Sequence, residues 1–283
     1  MENLGGLSNL TFIGLGSFSD MKDEDLAFIS TLPNLAKLKL IKLTCTDSFL
    51  AYLTGLKKLQ NLDFGELTNL TGVGFAQLAE LPDLDWIIHW KGGMTDAGVA
   101  AIARLPSVSI LDFQASPAVT NASIPHLRTM EKLTTLLLSA TSITPEGFAG
   151  VVMPKIKTVG ANELAKLPLS EIAPKMATVF PNVENYAFSY FAHTPEDLAA
   201  LAHYRKLNRL TVAGTIKDEA YPGLLELREL VVFQTYSSEI SLTAWQTLAK
   251  LKRLKVVRYG TKPPNEAALA AFKKQRPDVK AEP

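Results

Sequence analysis

The sequence predicts an α/β fold: a right-handed solenoid of about eleven βα units, with a parallel sheet on its concave side and helices on its convex side. Two observations carry that expectation. A pattern of the form apolar-x-x-apolar-x-x-apolar-x-apolar recurs along the whole chain, as Leu32, Leu35, Leu38, Leu40, then Leu56, Leu59, Leu62, Phe64, then Leu105, Val108, Leu111, Phe113. Its copies are also evenly spaced. Taking the third apolar position as a marker gives Ile13, Leu38, Leu62, Ile87, Leu111, Leu136, Val159, Tyr186, Leu210, Leu230 and Val257, with gaps of 25, 24, 25, 24, 25, 23, 27, 24, 20 and 27 residues.

Each unit then follows from two periods. The alternation across Leu38 and Leu40 is that of a short strand with one face toward the core. A turn follows, then a stretch with helical spacing such as Gly74–Ala79 or Gly98–Ala103. Thr46-Asp47, Thr95-Asp96 and Thr120-Asn121 precede such stretches and read as N-caps, because their side chains accept hydrogen bonds from the free N–H groups of a first helical turn. Leu32-Pro33, Leu81-Pro82 and Leu105-Pro106 mark the ends, since proline cannot continue a helix. One such coil cannot bury its apolar edge alone, but stacked coils share a continuous core.

Residues 1–283 are expected to form a single repeat domain, irregular around 160–182 and around 215–226 and closed by a capping helix at about 265–276 with a short tail. The first irregularity carries Pro168, Pro174 and Pro181, and the second surrounds Tyr221-Pro222-Gly223, where the marker spacing shortens to 20 residues. The plain reading of both is drift in a tolerant scaffold.

With 47% hydrophobic and 20% charged residues, the chain has ample material for a packed interior. A formal charge of +1, with no long basic run, argues against nucleic acid as a partner. No apolar run approaches the length of a membrane span, so no membrane insertion is expected. Cys45 is the single cysteine, which forbids an intrachain disulfide and leaves the compartment open. Met1–Gly6 does not read as a signal peptide. The first repeat begins almost at residue 4 with no polar cap, which points to a leader or cap upstream, and removal of a leader would place the protein outside the cytoplasm.

These residues resemble the leucine-rich-repeat family, and in particular its bacterial class of 24-residue repeats, with Leu-Pro-x-Leu-x-x-Leu-x-Leu followed by Ile/Val-Thr-Asp-x-Gly-Leu. Met94-Thr95-Asp96-Ala97-Gly98-Val99 and Ile143-Thr144-Pro145-Glu146-Gly147-Phe148 are the best matching stretches. The resemblance covers essentially the whole chain and implies a horseshoe on the ribonuclease-inhibitor-like side of the family, with protein recognition as its role. The chain departs from the asparagine-ladder type. Thr141 and Thr215 stand at the turn position, which suggests turns capped by hydroxyls.

Alternation within each strand names the side chains that face a partner. In the fourth repeat Trp86, Ile88 and Trp90 all point outward, with Asp63, Ile110, Asp112 and Gln114 on the neighbouring strands. Large rigid aromatics within a polar rim are what an interaction hot spot needs. His89 stands where an apolar inward residue belongs, so a register slip that turns the tryptophans inward is the competing reading of this repeat. Val231, Phe233 and Tyr236 read either as a second and weaker patch or, equally, as ordinary packing against a loop.

Catalytic readings find little support. Asp63 and Asp112 stand at equivalent positions two strands apart, roughly 10 Å, which is a spacing used by acid pairs, but Ile88 lies between them. His89, His126, His193 and His203 fall in different repeats without metal-ligand spacing. No phosphate loop or nucleophile elbow is present in the sequence. No enzyme, cofactor or metal is therefore expected. The expected partner is a protein or peptide bound by a monomer, with glycan adhesion, or recognition on behalf of a larger multidomain protein, as alternatives.

Overall fold

The computed structural model describes residues 7–18, 21–189, 194–213, 216–236, 240–260 and 265–283, and the chain divides into two compact units, 1–149 and 150–283. His193 and Thr215 lie outside the described residues.

In the first unit the strands are β1 (Phe12–Gly16), β2 (Lys37–Ile41), β3 (Asn61–Gly65), β4 (Trp86–Trp90), β5 (Ile110–Asp112) and β6 (Thr135–Leu137). Each pairs in parallel with the next in chain order. The register sets Ile13, Leu38, Leu62, Ile87, Leu111 and Leu136 side by side. From Leu38 onward this row is fully enclosed. A second inward row runs through Leu40, Phe64, His89, Phe113 and Leu138, and it too is excluded from water. Phe49 and Phe75 close on Phe64 from behind, with ring centroids 5.6 and 6.3 Å away.

The returns differ from the helices expected. Among the described residues of this unit, α1 (Asp96–Ile102) and α2 (Ile124–Thr129) are α-helical, whereas Asp23–Thr31, Asp47–Leu53 and Val73–Leu78 are 3-10 helices. Geometry accounts for the difference. A 3-10 helix rises about 2.0 Å per residue against about 1.5 Å for an α-helix. A coil of some 24 residues therefore spans the back of the sheet with fewer residues when its return is wound more tightly.

The expected N-caps form, and they do more than cap. The hydroxyls of Thr46, Thr95, Thr120 and Thr144 accept from backbone N–H groups of Ser48, Gly98, Ala122 and Gly147. In four of these coils the acidic or amide residue at the start of the return reaches into the following coil. Asp47 accepts from Thr71 N–H (2.9 Å), the Thr71 hydroxyl (2.6 Å), Gly72 N–H (2.9 Å) and Gly74 N–H (2.9 Å). Asp23 does the same for Thr46, Asp96 for Thr120 and Ser123, and Asn121 for Thr144. Hydrogen bonds to an ionised acceptor are roughly twice as strong as neutral ones. Earlier in these turns, just after the strands, Ser17, Lys42, Glu66, Lys91 and Ala115 adopt φ between 51° and 63°. Their N–H groups donate to Ile41, Gly65, Trp90, Gln114 and Ser139 of the next coil, each at 2.9 Å, which holds non-glycine residues in a left-handed turn. Thr141 caps its own turn, its hydroxyl donating to the Leu138 carbonyl at 2.8 Å.

In the second unit β7 (Thr158–Gly160), β8 (Asn185–Ser189), β9 (Arg209–Ala213), β10 (Val232–Thr235), β11 (Val256–Arg258) and β12 (Lys280–Glu282) are parallel. The inward row is Val159, Tyr186, Leu210, Phe233, Val257 and Ala281. Leu62, Leu111 and Leu210 are thus all buried, as a shared spine in each unit requires.

Two expectations change here. The shortened tenth repeat does not exist. Phe233 pairs with Leu210 and Val257, so the marker belongs at Phe233 rather than Leu230. Within 216–226, Asp218–Glu226 is a nine-residue 3-10 stretch whose Gly223 abuts the Pro195 carbonyl of α4 (Pro195–Ala200). Val159 pairs with Tyr186, and the length between them holds α3 (Leu169–Val179) with Pro174 inside it. Finally, the closing helix α6 (Glu266–Gln275) follows α5 (Leu242–Leu248), and the tail beyond α6 becomes β12, a strand of one further coil. Arg276 anchors that end. Its guanidinium donates to the carbonyls of Ala249, Leu251 and Leu254 at 2.9–3.1 Å and pairs with Asp278 at 2.8 Å. Among the described residues no helix is long and apolar enough to cross a membrane.

Asp47→Ala removes four acceptor contacts between adjacent coils and is expected to lower stability by on the order of 2–4 kcal/mol, read from denaturant unfolding. A loss under about 0.5 kcal/mol, the size of an ordinary surface change, would show that this carboxylate does not link the coils.

Candidate functional site

The outward face of β3, β4 and β5 is set by the inward one. Ile87 and His89 are both fully enclosed, so the alternation of the strand holds through β4 and Trp86, Ile88 and Trp90 project from the sheet. The register slip is excluded: Phe64 pairs with His89 and Leu62 with Ile87. His89 fits because Gly92 makes room for it. A Cβ at position 92 would lie 2.1 Å from the imidazole. Neither ring nitrogen of His89 has a hydrogen-bond partner among the described residues, and burial pushes its pKa down to about 4 against the opposing charge of Asp47. The ring is neutral at neutral pH and behaves as a core side chain.

Trp86, the first residue of β4, is 39% exposed. Ile88 and Trp90 are half-buried, as are Ile110, Gln114 and Asp63 around them. Trp90 lies flat. The atom nearest to a Cβ built at Gly65 would be a carbon of its indole, at 2.5 Å, so Gly65 is the seat that lets the ring lie across β3. This contact was not anticipated, although a glycine cross-strand from a tryptophan is the signal for it. Leu137, outward on β6 beside Asp112, extends the apolar area. The Lys91 ammonium stands 5.7 Å from the Trp90 ring centre.

Two carboxylates sit in this face, and they differ. Asp63 is ion-paired with Lys39 at 2.9 Å. Asp112 is only 8% exposed, and among the described residues no cation pairs with it. Its oxygens accept from Gln114 N–H (2.9 Å) and the Gln114 side-chain amide (3.2 Å). Burial pushes the Asp112 carboxyl up to about 6; the Gln114 hydrogen bonds oppose that rise and the charge of Asp63 adds to it.

The second patch does not form. Phe233 is fully buried and packs against Tyr221, with ring centroids 6.3 Å apart, while Val231 precedes β10 and is half-buried. The outward residues of this strand are Val232 and Gln234, and Gln234 donates to the hydroxyl of the exposed Tyr236 at 2.9 Å. The misplacement has a simple cause. Leu224, Leu227, Leu230 and Val232 match the apolar template, but the true set is Leu227, Leu230, Phe233 and Thr235, whose last member is a buried threonine. Cys45 is buried, and burial pushes its thiol up to about 12, which leaves it inert as a nucleophile.

A carboxyl whose pKa is raised on folding favours the fold when protonated, so its contribution is greatest below about pH 4 and is lost as pH rises through about 6. Asp112→Asn is therefore expected to stabilise the protein at pH 8 by on the order of 1–3 kcal/mol and to have little effect at pH 4, measured by denaturant unfolding at both. Equal effects at the two pH values would contradict the placement of this carboxyl.

No family model matches the chain, and no curated protein matches it in sequence. Solved structures match it in fold. An internalin (inlF) from Listeria monocytogenes aligns with a TM-score of 0.51 at 14% identity, over 98% of this chain and 81% of that one. A leucine-rich-repeat protein from Leptospira interrogans aligns with a TM-score of 0.41 at 14% identity, over 99% and 92%. Parallel βα coils and the likeness to the internalin together give the chain the fold of the leucine-rich-repeat proteins.

Proposed function

We propose that the chain is a non-catalytic scaffold that binds a protein or peptide on the concave face of its sheet, centred on Trp86, Ile88 and Trp90 with Asp63, Ile110, Asp112 and Gln114 around them. One observation carries this reading: a tryptophan 39% exposed at the head of a strand that is paired on both sides. Aromatic anchors presented this way bury large area with little loss of side-chain entropy on binding. Placement of the chain in the leucine-rich-repeat family, in its 24-residue bacterial class, belongs to the same proposal. So does the treatment of residues 1–283 as one repeat domain, and the marker spacing along the whole chain supports both. A scaffold rather than an enzyme is favoured because Asp63 is held by Lys39 and Ile88 fills the space between Asp63 and Asp112. The flat presentation of Trp90 beside carboxylates also suits the face of a sugar ring, and glycan adhesion is the second reading.

The double variant Trp86→Ala/Trp90→Ala is expected to weaken binding of a partner captured by the wild-type chain by well over tenfold. Its thermal unfolding should match that of wild type within a few degrees. An unchanged affinity would remove both residues from the site, and Trp86-dependent binding confined to a glycan array would favour the second reading.

A further inference from the structure

On the strand register, Asp112 lies between Ile88 of β4 and Leu137 of β6, with Ile110 preceding it on the outward side of its own strand. Its neighbours Leu111 and Phe113 point inward and are fully enclosed, so Asp112 belongs to the outward layer, flanked in register by apolar residues of the proposed anchor, and 8% of it remains open to water. A ligand seated on Trp86 and Ile88 would remove what water still reaches this carboxylate. Completing the burial of an unpaired charge costs several kcal/mol unless an opposite charge arrives with the ligand. The protein does not supply that charge from β2: Lys39 is 2.9 Å from Asp63 and held there. No charged residue stands at the outward positions of β4 or β6, which are Trp86, Ile88, Trp90, Thr135 and Leu137. Gln114 offers a neutral amide, which lessens the penalty without cancelling the charge.

Resting on the binding face proposed above, we infer that the partner is a peptide segment whose central residue is an arginine, its guanidinium meeting the Asp112 carboxylate while its stem and planar head lie against the indoles of Trp86 and Trp90. Arginine fits better than lysine. Its planar fork pairs with a carboxylate through two parallel hydrogen bonds and stacks on aromatic faces, and it loses less on dehydration than an ammonium. Asp112 is then a specificity-determining residue: the fold tolerates a poorly solvated carboxylate that becomes favourable when the partner is bound.

The test uses a random-sequence peptide library displayed on phage, selected at pH 7.5 against the full chain and counter-selected against Trp86→Ala. The expected result is that Trp86-dependent peptides share an arginine. Replacing that arginine by citrulline, which keeps the shape and removes the charge, should weaken binding by about tenfold or more, and most of that difference should vanish on Asp112→Asn. Because Asp112→Asn is expected to stabilise the fold, loss of folding would not confuse the reading. Trp86-dependent peptides that carry no shared cation, or a citrulline effect equally large on Asp112→Asn, would overturn the arginine inference and leave the binding face intact. Failure to recover any Trp86-dependent peptide would overturn the binding face, and the inference with it.

Discussion

The first unit depends on the bonding between one coil and the next in the turn that follows a strand. At the start of the return, a carboxylate such as Asp47 or Asp96 collects the orphan N–H groups and hydroxyl of the following cap. Earlier in the same turn, a left-handed residue such as Lys42 or Glu66 donates to the carbonyl of the next strand. With both ties in place the strand cannot slide by one residue without losing them. Register in a sheet decides which face every side chain occupies. The apolar spine supplies the bulk of the stability, at about 1.5–3 kcal/mol for each fully buried large side chain. An apolar row alone would accept more than one alignment, and the polar ties select the one observed.

β4 shows what that selection achieves. Its sequence, Trp-Ile-Ile-His-Trp, has no strong preference for which set points inward, since the tryptophans are more apolar than His89. Without ties, turning both indoles into the core would be the better burial. The neighbouring strands prevent it: β3 and β5 present Leu62, Phe64 and Leu111 inward, and only the observed alignment matches Ile87 and His89 to them. The strand therefore holds an unpartnered imidazole in its core and an indole in water, both unfavourable locally. Asp112, on the next strand, is a third such group. Departures from stable packing gathered on adjacent strands are what a functional site looks like when the rest of the molecule is regular.

The repeat was legible in the sequence because a leucine every 24 or 25 residues is a direct imprint of the shared spine; Leu38, Leu62, Leu111 and Leu136 all stand where their spacing put them. The N-cap role of Thr46, Thr95 and Thr120 was equally legible, since a hydroxyl before a helical stretch has a local purpose. What the sequence concealed was non-local. The reach of Asp47 to Thr71 spans 24 residues and leaves no trace in a local pattern. Phe233 was misplaced by three residues because an apolar template also fits Leu230 and Val232, whereas the true register ends on the buried hydroxyl of Thr235. β12 escaped notice because Lys280-Ala281-Glu282 is an edge strand with charged outward residues and a single alanine at the inward position. Of the candidate site, the exposed row of β4 followed from alternation. The seating of Trp90 on Gly65 and the burial of Asp112 did not, as both arise from side chains lying across strands.

The most direct test of this account is hydroxyl-radical footprinting of the native chain with residue-level mass spectrometry, because its three tryptophans occupy three different environments. Trp86, exposed, should react fastest; Trp90, flat on Gly65, should react at an intermediate rate; Trp245, packed 4.6 Å from the Phe272 ring, should be protected along with His89. Protection of Trp86 and Trp90 with a reactive His89 would mean that β4 sits one residue out of the register described, and the proposed binding face would go with it.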